Sequence, residues 1–209
     1  MLKNLVFDWG GVLSVSQHNE AIRRFEALGL TNAETYFEEG KNWKGIFGEI
    51  ENGKIGIEDF LSAISLLCGK NITFEEVAYA WWGFFHHLTP GLLHQLYLWE
   101  KEGYNLYILT NNNPFMMSYI NGDQFAPEGR PFHTYFKKIY VSYEIGLEKP
   151  DRAIYEHMLK DGDMKAEETL FIDDREQNTK GAESVGINTY LVKNSEAWIP
   201  DLINKFLKH

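Results

Sequence analysis

Lys3–Ser14 reads KNLVFDWGGVLS: an apolar run, one aspartate, then a Trp-Gly-Gly turn. Leu5, Val6 and Phe7 in unbroken succession predict a strand buried on both faces, as a parallel strand covered by helices must be. Asp8 closes that strand, and in an open parallel sheet ligands bind beyond the carboxyl ends of the strands. Gly10 and Gly11 then let the backbone turn close to whatever binds there.

Four further runs of this kind follow: Tyr104–Thr110 (YNLYILT), Lys138–Ser142 (KIYVS), Thr169–Asp173 (TLFID) and Asn188–Val192 (NTYLV). Helical patterns separate them, which predicts an α/β fold with a doubly wound, Rossmann-like, mainly parallel sheet. About ninety-five residues separate the first run from the second, far more than a βαβ crossover needs. Ile57–Leu67 (IEDFLSAISLL) and Phe74–Phe85 (FEEVAYAWWGFF) carry apolar residues at helical spacing, with Thr73 and Glu76 as a capping box. The expected organisation is a core of residues 1–15 and 91–209, interrupted by an inserted helical cap over 16–90. Asn121–Pro131 (NGDQFAPEGRP) reads as a loop ahead of the third run.

Composition narrows the functional classes. The chain has 209 residues, 44% hydrophobic and 15% aromatic, enough to bury a sizeable core. A formal net charge of -10 disfavours nucleic acid, whose binding rests on basic patches, and favours a small-molecule substrate. No run approaches the ~18 apolar residues of a membrane span. A single cysteine, Cys68, and the lack of a signal-peptide pattern point to the cytoplasm.

Polar groups recur at the other strand ends. Thr110 with Asn111–Asn113 closes the second run, Lys149 with Pro150 follows the third, and Asp173 with Asp174 closes the fourth. A strand-terminal aspartate is often only a helix cap or turn former; four polar strand ends in this order share one chemistry. A carboxylate such as Asp8 can attack phosphorus, but its charge and the phosphate's repel unless cations intervene. Asp173 and Asp174 near Asp8 would make a hard oxygen site suited to Mg2+, with the Gly10 carbonyl as a further ligand. Lys149 supplies a second positive centre. The Thr110 hydroxyl, Asn111 and the N–H groups at the following helix start are expected to hold the remaining phosphate oxygens.

The ordered set FDWGGVL, LYILTNNN, GLEKPD and FIDD resembles the four motifs of the haloacid dehalogenase superfamily and spans the chain from Asp8 to Asp174. The stretch Val141–Val192 is similar to the branch that holds the glucose-1-phosphate phosphatases and the N-terminal phosphatase domain of soluble epoxide hydrolases. That branch carries a helical cap after its first motif. The resemblance implies that Asp8 is the nucleophile, that Thr110 and Lys149 hold phosphate, and that Asp173 and Asp174 serve Mg2+.

One position departs from the pattern. Most phosphatases of the superfamily carry a second aspartate two residues after the nucleophile, which protonates the leaving group and later activates water; here that position is Gly10. Losing such a group typically costs ~10²–10⁴-fold in rate. Three readings follow. The first keeps a phosphatase, since glycine also occurs at this position in the similar glucose-1-phosphatase branch, and looks to His18 or Glu20 of the cap as a substitute. The second is a 2-haloacid dehalogenase, which needs no leaving-group proton; Asp173 and Asp174 oppose it, because they would repel a carboxylate substrate. The third is a binding module without chemistry, which has no need to retain Asp8, Thr110, Lys149, Asp173 and Asp174 together. Phosphomutase action is disfavoured, because Gly10 offers no proton shuttle. The expected activity is Mg2+-dependent hydrolysis of a small phosphorylated metabolite, a sugar phosphate among the candidates.

Lesser features carry a bland explanation beside the functional one. The aromatic run Tyr79–His87 (YAWWGFFHH) is expected to be mostly cap core, with one or two rings over the cleft. His86 and His87, adjacent on a helix, would point about 100° apart and read as packing or surface residues. Asn42, Trp43 and Lys44 lie in the cap, where a solvated face is the commoner explanation. Asn178 is placed to steady the carboxylates of the fourth motif. Gly181 and Gly186 lack the Lys-Ser/Thr of a P-loop and mark helix packing and termination.

Overall fold

The computed structural model describes residues 1–37, 43–123 and 125–207. Its strands are β1 (Asn4–Phe7), β2 (Ser14–Ser16), β3 (Phe85–Leu88), β4 (Asn105–Thr110), β5 (Lys138–Val141), β6 (Thr169–Asp173) and β7 (Asn188–Leu191). Its helices are α1 (His18–Leu28), α2 (Ile46–Glu51), α3 (Ile57–Cys68), α4 (Phe74–Trp81), α5 (Leu92–Lys101), α6 (Pro114–Ile120), α7 (Ser142–Ile145), α8 (Arg152–Asp161), α9 (Glu176–Glu183) and α10 (Ile199–Leu202). Five strands form one parallel sheet in the order β5-β4-β1-β6-β7, and β2 and β3 form an antiparallel pair of their own. The chain leaves β1 for β4 on one side and later reaches β6 on the other. Strand order therefore reverses at β1, and a crevice opens beyond its carboxyl end.

The unbroken apolar runs are explained by burial on both faces. Leu5, Phe7, Leu106, Ile108, Leu170 and Ile172 pack against Leu92, Leu96 and Trp99 of α5 and against Trp198 and Leu202. Val6, Tyr107, Leu109 and Phe171 alternate to the opposite face, against Ile154, Tyr155 and Met158 of α8 and Ala182 of α9. The Phe7 ring stacks on Trp99 with centroids 5.6 Å apart, an arrangement that adds to the area it buries.

Four helices, α1 to α4, lie between β2 and β3. Phe25, Phe37, Phe47 and Trp81 converge there in an aromatic cluster, with Phe37 and Phe47 centroids 4.6 Å apart. Phe60 and Phe74 close on Phe115 of α6 at 5.2 and 4.9 Å, so the insert's apolar interior runs on into that of the sheet. The Thr73–Glu76 capping box forms as expected: Glu76 N–H donates to Thr73 Oγ1 at 3.3 Å and Thr73 N–H to Glu76 Oε2 at 2.9 Å.

Local periodicity misled at one place. Phe74–Phe85 is not a single helix: α4 ends at Trp81, a 3-10 turn spans Trp82–Phe84, and β3 begins at Phe85. The cause is tertiary. Gly83 lies so close to α1 that a Cβ there would come within 2.7 Å of Ala21 Cα, and Phe85–Leu88 pairs with Ser14–Ser16. Tyr79, in the run expected to be mostly core, is 55% exposed with Arg24 over its ring. His86 and His87 sit on β3 rather than on a helix, their rings in contact, and His87 Nε2 lies 3.2 Å from Glu196 Oε2. Lys44 is exposed, and Asn42 lies outside the described residues. Among the described residues no helix is long and apolar enough to cross a membrane.

Candidate active site

Asp8 follows directly on β1, whose register sets Phe7 level with Ile108 of β4 and Ile172 of β6. Thr110 and Asp173 end those two neighbouring strands. The sheet thus gathers side chains from positions 8, 110 and 173 of the chain. Asp8, Asp173 and Asp174 offer carboxylate oxygens within 4.8 Å of one another.

Lys149 enters this cluster from the loop after α7. It is 1% exposed, and its Nζ donates to Leu109 O at 2.9 Å, Asp173 Oδ2 at 2.8 Å and Asp8 Oδ1 at 2.9 Å. All three ammonium hydrogens are thereby engaged. Burial by itself lowers the Lys149 pKa, but Asp173 and Asp8 outweigh it and hold the ammonium above its ordinary value. Burial pushes the Asp8 carboxyl up; Lys149 opposes the shift and Asp173 reinforces it. Asp174 keeps open surface, yet burial of part of its carboxyl and repulsion by Asp8 and Asp173 raise it to about 7. Three carboxylates against one lysine leave negative charge in excess, which is the environment a hard divalent cation relieves.

The surroundings hold these groups rigidly. Asp173 is fully buried and accepts from Asn178 Nδ2 at 3.0 and 3.1 Å and from the Arg175 N–H at 2.8 Å. Asn178 thus meets the fourth-motif carboxylate as its spacing suggested. Gly11, at φ +73°, packs its backbone on Asp174: a Cβ would fall 2.5 Å from Asp174 Oδ2. Gly10 has no such constraint, its nearest neighbour being Ser16 Oγ at 3.5 Å. Gly181 brings α9 against the Lys149 loop, where a Cβ would meet Pro150 O at 2.4 Å.

Asp8, Gly10, Thr110, Asn111, Lys149 and Asp174 all border one cavity of about 440 Å3, with Asp173 behind its wall. The Asn111 side chain bonds the Lys149 backbone in both directions, Nδ2 to Lys149 O and Lys149 N–H to Oδ1, each at 2.9 Å, so it fastens the lysine loop at the edge of the cavity. The N–H groups at the start of α6 are also occupied. Asn113 Oδ1 accepts from Phe115 and Met116, Asn112 Oδ1 from Asn113, and Ser142 Oγ from Asn112. A buried helix start caps itself with side chains when it can, which removes these donors from the phosphate.

Glu20 is another correction. It is locked to Arg23 and Arg24 at 2.6–2.9 Å, pairs that hold its carboxyl down at about 2, and it does not border the cavity. A group so acidic carries no proton to donate. His18 does border the cavity, its ring edge-on to Phe84 at 5.2 Å. The insert also contributes Trp43, Phe84 and Glu51, and Arg175 stands beside Asp174. Sequence reasoning passed over Glu51 and Arg175. Arg175 was findable as a cation next to the motif, whereas nothing local to Glu51 shows which way the insert faces.

Strand order, carboxylate cluster and buried lysine together place the chain among the haloacid dehalogenase-like hydrolases: it belongs to that family, whose model matches residues 2–186. Within it the chain is 37% identical over 202 residues to the D-ribitol-5-phosphate phosphatase of Bacteroides thetaiotaomicron, covering 97% of each. A HAD-like family hydrolase from Porphyromonas gingivalis superposes with a TM-score of 0.91 at 35% identity, covering 100% of both chains. A HAD family enzyme from Bacteroides thetaiotaomicron, solved with magnesium and inorganic phosphate, superposes with a TM-score of 0.85 at 32% identity, covering 95% of this chain and 98% of its own.

Proposed function

We propose that the chain is a cytoplasmic, Mg2+-dependent phosphatase of small phosphorylated metabolites, with sugar and polyol phosphates as its substrate class. The observation that carries this reading is the meeting of Asp8, Asp173 and Asp174 within 4.8 Å, tied together by a buried Lys149. The likeness to a D-ribitol-5-phosphate phosphatase over nearly the whole chain supports the substrate class. Residues 16–90 are read as a cap that roofs the cavity and selects among substrates.

Asp8 attacks phosphorus in line and forms an aspartyl-phosphate, which water then cleaves. Lys149 orients the Asp8 carboxylate and offsets charge, and the Thr110 hydroxyl, at the rim of the neighbouring strand, binds a phosphoryl oxygen. Asn111 positions Lys149 through the two backbone bonds. The donor set of Asp8, Asp173, Asp174 and the Gly10 carbonyl fits Mg2+, which when bound neutralises phosphate charge. The same three carboxylates oppose a haloacid substrate.

The test is phosphate release from a panel of metabolites that includes D-ribitol 5-phosphate, with and without Mg2+, comparing native protein with Asp8→Asn. Metal-dependent release that the substitution abolishes is the expected result. Release that survives in Asp8→Asn would overturn the assignment of the nucleophile.

A further inference from the structure

The position that commonly carries the proton-transferring aspartate is Gly10, and Glu20 is unable to replace it. Attack in line by Asp8, on the cavity floor, places the leaving oxygen on the far side of phosphorus, toward the insert. Of the side chains the insert sets over that cavity, Glu51 and His18 are the two able to carry a proton. Glu51 is held in place by named contacts. Its carbonyl accepts from Ser142 Oγ at 2.5 Å, and the same hydroxyl oxygen accepts the Asn112 N–H at 3.0 Å, in the turn that follows Thr110. Two residues on, Gly53 packs so closely on α7 that a Cβ would lie 2.5 Å from Tyr143 O. The end of α2 is thus pinned to α7 at two neighbouring residues, Ser142 and Tyr143, and Glu51 borders the cavity there.

We propose that Glu51 is the general acid and base of the reaction, supplied from the insert in place of the missing carboxyl at position 10; this rests on the phosphatase reading above. In the first step an Asp8 oxygen bonds to phosphorus as the P–O bond to the alcohol breaks, and the Glu51 proton passes to the departing oxygen to give ROH. In the second, the Glu51 carboxylate takes a proton from water as the water oxygen bonds to phosphorus. The Asp8–phosphorus bond breaks, and inorganic phosphate, the Asp8 carboxylate and protonated Glu51 are restored. The sum is an ester and water giving alcohol and phosphate. Burial favours the protonated form of Glu51, with Arg175 and Lys149 opposing and Glu148 and Asp8 reinforcing, and holds its carboxyl up at about 8. It is therefore a proton carrier at neutral pH.

The test uses full-length protein with Mg2+ and two substrates: D-ribitol 5-phosphate, whose alkoxide must be protonated, and 4-nitrophenyl phosphate, whose phenolate leaves without a proton. Glu51→Gln is expected to lower kcat on the alkyl ester by ~10²–10⁴-fold with KM changed little. On the aryl ester it should give a burst of one 4-nitrophenolate per enzyme and accumulate the phosphorylated protein, seen as an intact-mass shift, because the second step lacks its base. Native kcat on the alkyl ester in Glu51→Gln overturns the proposal. So does loss of activity on both esters with no burst, the mark of a merely structural role, or the burst pattern appearing in His18→Asn instead. Native protein that turns over neither ester sinks the phosphatase reading first and this inference with it.

Discussion

Gly10 and Gly11 are neighbours under different constraints, although the sequence presents them as one turn. Gly11 combines φ +73° with contact against Asp174, so Gly11→Ala must push that carboxylate away. Calorimetric titration should find Mg2+ affinity lower by roughly tenfold or more, whereas Gly10→Ala, with 3.5 Å of room, weakens it far less. Asn178 holds Asp173 from behind, and Asn178→Ala is expected to cost about 1–3 kcal/mol of stability and 10–100-fold in Mg2+ affinity. The Glu51 carboxyl, raised from 4.5 to about 8, makes a prediction of opposite sign. A folded pKa above the unfolded one means the folded state binds the proton more tightly, so stability is intact below about pH 4.5 and falls as pH climbs toward 8. In metal-free protein Glu51→Gln should match native thermal stability near pH 4.5 and exceed it near pH 8, by roughly 1–2 kcal/mol after solvent screening. An unchanged difference between the two pH values would contradict the burial of that carboxyl.

At the scale of elements, α9 and the Lys149 loop are spaced by a glycine. Gly181→Ala would bring a Cβ to 2.4 Å from Pro150 O and 2.9 Å from Tyr155 Cε2. The expected cost is about 1–3 kcal/mol of overpacking, read as a fall in Tm of several degrees, together with slower phosphorylation of Asp8 as Lys149 shifts. The strands of the main sheet were legible because burial on both faces leaves unbroken apolar runs with sharp ends. The β2–β3 pair was not legible: SVS and FHHL are short, their apolar content is low, and each is a strand only because the other lies beside it. The same pairing ended α4 early against a helical periodicity that ran on to Phe85.

For the whole molecule, three carboxylates facing one lysine at the centre of a chain of net charge -10 is a burden that a cation and a phosphate group relieve together. Mg2+ should therefore raise Tm with the logarithm of its concentration above Kd, the gain in stability reaching about 2.7 kcal/mol at a hundred times its Kd. Inorganic phosphate should add to this only when Mg2+ is present. Asp174→Asn should abolish the Mg2+ effect while keeping the fold, since Asp174 is exposed and outside the core. Thermal melts across a Mg2+ and phosphate grid check all three statements.

The succession of strands along the chain, the aspartate at the end of the first, and the lysine and acidic pair after the third and fourth could be read from the chain alone. Those features are local: periodicity within a run and residue type at its end need no knowledge of what packs opposite. That Trp43, Glu51 and Phe84 line the cavity was decided only by tertiary structure. Glu51 reaches its place through a bond to Ser142, 91 residues away, and Trp43 and Phe84 through an aromatic cluster drawn from several separate segments of the insert. No pattern along the chain records the orientation in which those helices settle on α6 and α7, because that orientation is a packing outcome of many weak contacts between distant segments.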